Sequence, residues 1–477
     1  MKKSSGRPPP PSMALALRFP YMCWMANAHT LGSMTSAPHT LAALRSGQLA
    51  GITRLDLACD LHEFPQEIFD LADSLEILNL SSNQLSSLPD DLSRLRKLRV
   101  IFCSENRFTH VPEVLSTCPH LNMVGFKSNQ IRAVPASALA PWLRWLILTD
   151  NQISALPDSL GNCTSLQKLM LAGNHLTRLP ETMAGCVGLE LLRLSANRFE
   201  ALPAWIFKLP RLAWLAIAGN PMSAQSAVES APMAQVSWAN IELGEKLGEG
   251  ASGVIHKAHW QPSPEVAPRP VAVKLFKGAV TSDGFPADEL AACLAVGQHH
   301  NLIRVLGEIS GHPVGRSGLV MAWVDEGFRT LAGPPSLATC TRDVYPDDRG
   351  FSLPVALRLA TSLASAAQHL HGRGIMHGDF YAHNVLYKAE GECFLGDFGG
   401  ASFYPKAGAG CSRENAFEAL DVRAFGCLLG ELIERCPNEN EPRLNVLKAL
   451  QLGCVSPVAA QRPLFAEIGS TLQTLSR

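Results

Sequence analysis

Leu75-Glu-Ile-Leu78-Asn-Leu80-Ser-Ser-Asn83-Gln-Leu85-Ser-Ser-Leu88-Pro89 is one copy of a pattern, L-x-x-L-x-L-x-x-N-x-L-x-x-L-P, that recurs along the first half of the chain. Further copies start at Leu98, Leu121, Leu143, Leu166, Leu189 and Leu212, in steps of 23 residues with a single step of 22. Asparagine keeps register at Asn83, Asn106, Asn129, Asn151, Asn174, Asn197 and Asn220. A degenerate first copy starts at Ile52, with Asp60 in the asparagine slot. A short strand with alternating leucines buries one edge, and the asparagine amide can satisfy backbone groups at the turn that follows. No single copy can bury its apolar edge alone, so the copies must stack into a solenoid.

This periodicity resembles the leucine-rich-repeat family, with about seven full copies and a cap-like first one. The strand positions that face away from the leucine core include Phe102, Met123, Trp145, Ile147, Met170, Arg193 and Trp214. That makes an apolar, aromatic stripe on the inner, concave face. Such stripes mark binding surfaces, so an unidentified protein partner is expected there. The competing expectation is that the stripe packs on a second domain.

From Trp238 the periodicity changes. Ile241 to Leu247 reads as a strand running into Gly248-Glu-Gly250-Ala-Ser-Gly253, and Val254 to Trp260 reads as a second strand. A dinucleotide-binding fingerprint would open a helix after its glycines. Strand, glycines and strand instead suit a loop whose bare backbone N–H groups approach phosphates. Val271-Ala-Val-Lys274-Leu-Phe276 follows, then a helix expected from Ala287 to about Val296. A longer helix is expected from Leu353 to His371, before His377-Gly378-Asp379-Phe-Tyr-Ala-His-Asn384 and Gly396-Asp397-Phe398-Gly399.

Taken together these stretches resemble the protein kinase family over residues 239–477. The expected architecture is multidomain: an N-terminal leucine-rich-repeat α/β solenoid and a C-terminal bilobal α+β protein-kinase fold. The boundaries read as a disordered or non-native leader at 1–40, with Met34 a candidate start. Repeats at 41–221, a linker at 222–237 and the kinase domain at 238–477 complete the division.

The resemblance implies ATP as phosphoryl donor with Mg2+. Asp379 would orient the attacking hydroxyl and accept its proton, and Asn384 and Asp397 would hold the metal. Lys274 would meet the α- and β-phosphates with Glu289 as its ion-pair partner. Leu247, Gly248, Gly250, Gly253, Ile255, Ala272, Met321, Trp323 and Leu386 would surround the nucleotide, Met321 as gatekeeper and residues 322–324 as hinge. Asp421-Val-Arg-Ala-Phe-Gly and Arg462-Pro463 resemble later landmarks of the large lobe.

Three departures bear on the acceptor. Gly378 stands where the family has the arginine that answers an activation-loop phosphate. Tyr381 stands two past Asp379, where serine/threonine kinases carry lysine. Only 24 positions separate Asp397 from Asp421, without the A-P-E triplet whose glutamate usually meets Arg462, so Glu418 or Glu414 is expected to substitute. A serine/threonine-directed protein kinase is the leading reading. The alternatives are a kinase-fold small-molecule phosphotransferase, or a weakly active scaffold organised by the repeats.

Bulk properties narrow the class. A net charge of -1 argues against broad electrostatic capture of nucleic acid or acidic membrane. Thirteen scattered cysteines, with no C-x-x-C pair, read as idle thiols of a reducing cytosol. No run of eighteen apolar residues could span a bilayer, and the apolar segment from Met13 to Met25 is broken by Arg18 and Pro20. A cytoplasmic location is expected.

Overall fold

The computed structural model describes residues 39–224, 234–249, 253–277, 280–281, 283–404, 414–437 and 441–476. Eight three-residue strands form one parallel sheet in sequence order. They are β1 (Arg54–Asp56), β2 (Ile77–Asn79), β3 (Val100–Phe102), β4 (Met123–Gly125), β5 (Trp145–Ile147), β6 (Lys168–Met170), β7 (Leu191–Arg193) and β8 (Trp214–Ala216). Single turns of 3-10 helix, such as Asp158–Asn162, line the convex side. Helix α1 (Leu41–Arg45), capped by Thr40, precedes β1.

Each asparagine closes its repeat by bonding backward to its neighbour. Asn151 Nδ2 donates to Phe126 O at 2.9 Å and to Leu148 O at 3.1 Å, while its Oδ1 accepts from Ile131 N at 3.0 Å. The residue before each asparagine takes a left-handed backbone, among them Ser82, Glu105, Ser128, Asp150 and Ala196. The chain must swing there to bring the amide inward.

Helix α2 (Pro221–Ala224) ends the solenoid, and β9 (Gln235–Ser237) begins the second body. Thus the end of the segment read as linker pairs with a sheet. That sheet runs β10-β11-β12-β14-β13-β9, with β10 (Ile241–Glu249), β11 (Gly253–Trp260), β12 (Arg269–Phe276), β13 (Val305–Ser310) and β14 (Gly318–Ala322). Helix α3 (Pro286–Val296) lies between β12 and β13 in sequence.

The larger lobe is helical. Its central helix α4 (Leu353–His371) buries Leu357, Ala360, Leu363, Ala364 and Ala367, the 3- and 4-residue spacing of one helical face. Around it are α5 (Glu414–Glu434), α6 (Pro442–Cys454) and α7 (Phe465–Ser476). Short strands β15 (Arg329–Thr330), β16 (Ile375–Met376), β17 (Val385–Tyr387), β18 (Cys393–Leu395) and β19 (Ser402–Phe403) carry the intervening loops.

The concave face of the repeats is covered. In β1 and β2 only the middle, leucine-core residue is buried, whereas in β3 to β8 all three residues are. Phe102, Met123, Trp145, Ile147, Met170 and Trp214 belong to the same apolar cluster as Leu357, Phe380, Tyr381 and Phe425 of the helical lobe. The expected free stripe is therefore an interface with this chain's own second domain, because aromatic area of this size is stabilised far more by burial than by water.

Candidate active site

The mouth between the two lobes gathers the polar residues singled out in the sequence. Lys274 on β12 ion-pairs with Glu289 of α3, and its Nζ lies 3.6 Å from Asp397 Oδ1. Burial would depress the Lys274 ammonium, but these two carboxylates raise it above its ordinary range. Burial also pushes the Asp397 carboxyl up to about 7, with Glu289, Asp379 and Asp283 adding to the rise against Lys274.

The His377–Asn384 loop is held from beneath. Asp421 Oδ2 accepts from His377 N at 2.7 Å and its Oδ1 from Gly378 N at 3.1 Å, while His371 Nε2 sits 2.9 Å from Oδ2. His377 Nε2 lies 3.1 Å from Gly396 O, tying this loop to the Asp397 segment. Asn384 Nδ2 donates to Asp379 O and Oδ2, both at 2.9 Å. The Asn384 Oδ1 is buried and takes no hydrogen bond from the described residues. His383, paired with Asp343 at 2.7 Å, backs the loop, and despite its burial Asp343 raises its pKa.

A buried amide oxygen with no partner among the described residues, on a loop tied to the Asp397 segment through the Gly396 N–H bond to Asn384 O at 3.0 Å, suits a hard divalent cation that draws its other ligands from phosphate and water. Asn384 and Asp397 fit that description. Among the described residues no group of three His, Cys, Asp or Glu could hold a metal without such help.

The apolar nucleotide candidates converge. Leu247, Ile255, Ala272, Met321 and Leu386 form one cluster, with Ile303, Trp323 and Val324 packed against it. Ile255, Ala272, Met321 and Trp323 line a cavity there. Gly248 lies on β10, whose last described residue is Glu249, and Gly253 opens β11. A Cβ on Gly253 would meet Leu275 O at 2.6 Å, so only glycine fits that crossing. Gly250 lies outside the described residues.

Sequence reading missed the residues that close the other side of this site. Arg193 of β7 ion-pairs with Asp379, donates from Nη1 to Gly378 O at 2.8 Å, and places Nε 2.8 Å from Asp283 Oδ1. Burial alone would raise the Asp379 carboxyl, but Arg193, His383, His377 and the Asn384 amide hold it below the usual range. Trp214 Nε1 donates to Phe380 O at 3.2 Å. Ile217 N donates to Ser402 Oγ at 3.0 Å. Gly378 has φ +68°, and a Cβ there would meet Leu215 O at 2.4 Å and Gly400 O at 2.5 Å. The glycine that stands in place of the family's arginine thus sits where the solenoid backbone leaves no room for a side chain.

Arg462 also departs from expectation. It takes no carboxylate among the described side chains. It donates instead to Ala419 O at 2.8 Å, Ser456 O at 2.9 Å and, across the interface, Pro210 O at 3.4 Å. Glu418, expected to pair with it, accepts from Phe465 N at 2.8 Å because that amide opens α7. The Glu414 side chain lies outside the described residues.

Comparison with known proteins agrees with this geometry. The pattern for protein tyrosine and serine/threonine kinases matches residues 241–416, and leucine-rich-repeat patterns match 74–95 and 141–199. Over 212 residues the chain is 25% identical to mouse cyclin-dependent kinase 11B and 24% to human cyclin-dependent kinase 11A. Each of these alignments covers 40% of this chain and 25% of the relative. It is 30% identical to the Drosophila melanogaster Activated Cdc42 kinase Ack over 164 residues, 34% of this chain and 14% of that protein. The chain therefore spans a quarter or less of the length of these relatives. It joins leucine-rich repeats to a protein kinase domain of the tyrosine and serine/threonine kinase type.

Proposed function

We propose that this chain is a protein kinase that transfers the γ-phosphoryl group of ATP, with Mg2+, to a serine or threonine hydroxyl of a protein. The observation that carries the reading is Lys274 seated between Glu289 and Asp397 beneath the apolar Leu247–Leu386 cluster. Phosphoryl transfer needs positioning and charge neutralisation more than covalent help. Lys274 would fix the α- and β-phosphates, with its ammonium aimed by Glu289. Asn384 and Asp397 would hold Mg2+, which offsets charge on the phosphoryl oxygens. Asp379, itself held by the Asn384 amide, would orient the acceptor hydroxyl and take its proton.

A reducing compartment such as the cytosol suits the free state of every described cysteine. No described helix is long and apolar enough to cross a membrane.

The test uses purified full-length chain, labelled ATP with Mg2+, and a generic protein acceptor. Labelling that is lost in Asp379→Asn supports the reading. Nucleotide binding with no labelled protein, in wild type or in the activated variants described below, would overturn it. Phosphoamino-acid analysis addresses the acceptor, and phosphotyrosine as the sole product would overturn the serine/threonine assignment.

A further inference from the structure

We propose that the ligand of the concave repeat face is the catalytic loop of the same chain, and that Arg193 sits in the acceptor's place and keeps the kinase closed. This rests on the kinase reading above and adds its regulation. Both carboxylate oxygens of Asp379 are taken, Oδ1 by Arg193 and Oδ2 by the Asn384 amide. Asp379 is only 2% exposed. With the Arg193 guanidinium seated on Oδ1 and almost none of its surface open, Asp379 leaves an incoming hydroxyl no approach to the oxygen that Arg193 holds.

The solenoid touches both lobes, so it spans the cleft. On the helical-lobe side Glu190 accepts from Thr341, and Arg423 Nε donates to Arg211 O at 3.0 Å. On the sheet-lobe side Asp283, in the segment leading to α3, faces Arg193. A buried arginine held by two carboxylates and a carbonyl is a built contact, since an unmatched guanidinium there would carry a large desolvation cost. The chain has given up the side chain at position 378 to admit the Leu215 carbonyl.

The nucleotide side keeps its own ion pairs in the presence of this contact. Lys274 keeps Glu289 and Asp397 in the arrangement phosphate binding requires. The closed form therefore excludes the acceptor and leaves ATP binding intact. Release of the repeats from the loop is the activating step.

Three full-length chains test this: wild type, Arg193→Gln and Thr341→Glu. Arg193→Gln removes the plug's charge at similar size. Thr341→Glu sets a carboxylate against buried Glu190 from a loop outside the catalytic machinery and leaves the repeats' sequence intact. With casein as acceptor, both variants should label it at least about tenfold faster than wild type, because relief of a closed equilibrium scales the rate by the closed-to-open ratio. Their affinity for Mg·ATP, by titration with a fluorescent analogue, should stay within about twofold of wild type. Amide exchange over 378–382 should rise in both, and Asp379→Asn in the Arg193→Gln background should abolish labelling. If wild type labels casein and the folded variants are no faster, Arg193 is no plug and the proposal falls. If none of the three labels casein although all bind nucleotide, the protein-acceptor reading is what has failed, and the proposal falls with it.

Discussion

Trp214 of the last repeat strand lies flat on Tyr381 of the catalytic loop, ring centroids 4.3 Å apart and planes 5° from parallel. The two residues come from different domains, and both are almost wholly buried. Burial pushes the Tyr381 hydroxyl far above its ordinary pKa, and that hydroxyl has no hydrogen-bond partner among the described residues. Tyr381 therefore serves here as a flat apolar plate for the indole. Trp214→Ala should lower stability by about 3–5 kcal/mol, the cost of deleting a buried tryptophan. Urea unfolding with the m-value held constant measures it. A loss below about 1 kcal/mol would show that the stack holds nothing together.

The Lys274–Glu289 pair is buried, so its two partners are unequal in kind but alike in consequence. Glu289→Gln leaves an ammonium with Asp397 alone and frees it to turn from the phosphates. Phosphotransfer in the Arg193→Gln background should fall about a hundredfold, the scale of losing one preorganised charge contact. Steady-state kinetics over a range of Mg·ATP concentrations reads it. Unaltered kcat and KM would place the pair outside the reaction.

Asn151 satisfies four backbone groups, Ile131 N and the carbonyls of Phe126, Leu148 and Thr149, from a buried site. Asn151→Ala orphans all of them, at about 1–3 kcal/mol for each buried group left unpaired. Thermal unfolding should drop by several degrees, and alanine at the exposed Glu200 is the control. Equal effects of Asn151→Ala and Glu200→Ala would overturn the asparagine-ladder account.

Lys168 lies on the concave face with its ammonium 4.3 Å from the centre of the Trp145 ring, and burial lowers its pKa to about 8. Its unfolded value is near 10.5. Below pH 8 the folded chain carries a buried charge at a cost. Between about pH 8 and 10.5 the unfolded chain binds the extra proton, so this residue makes stability rise with pH through that window. Lys168→Met should therefore raise the melting temperature at pH 7 and raise it less at pH 9.5. A gain that is independent of pH would contradict the buried-ammonium account.

Much of this molecule can be read from sequence because its signals are local or evenly spaced. The 23-residue step specifies parallel strands in register, and eight of them form. The helix expected from Leu353 to His371 has those bounds, and Lys274 and Glu289, fifteen residues apart, meet across a strand and a helix. Docking of the two domains left no such mark. Arg193 and Asp379 are 186 residues apart, and nothing in the spacing of either motif points to the other. The stripe of Trp145, Met170 and Trp214 signalled an interface with two candidate occupants, and the second of them, this chain's own second domain, is the one that covers it. Gly378 read as the loss of a regulatory arginine, and the fold adds that the Leu215 carbonyl leaves no room for a side chain there.

The inner residues of β1 and β2 are only partly buried, unlike those of the six strands that follow. The grip of the kinase lobe therefore thins toward the N-terminal end of the curve, and the solenoid is held asymmetrically, through the rungs that carry Arg193 and Trp214.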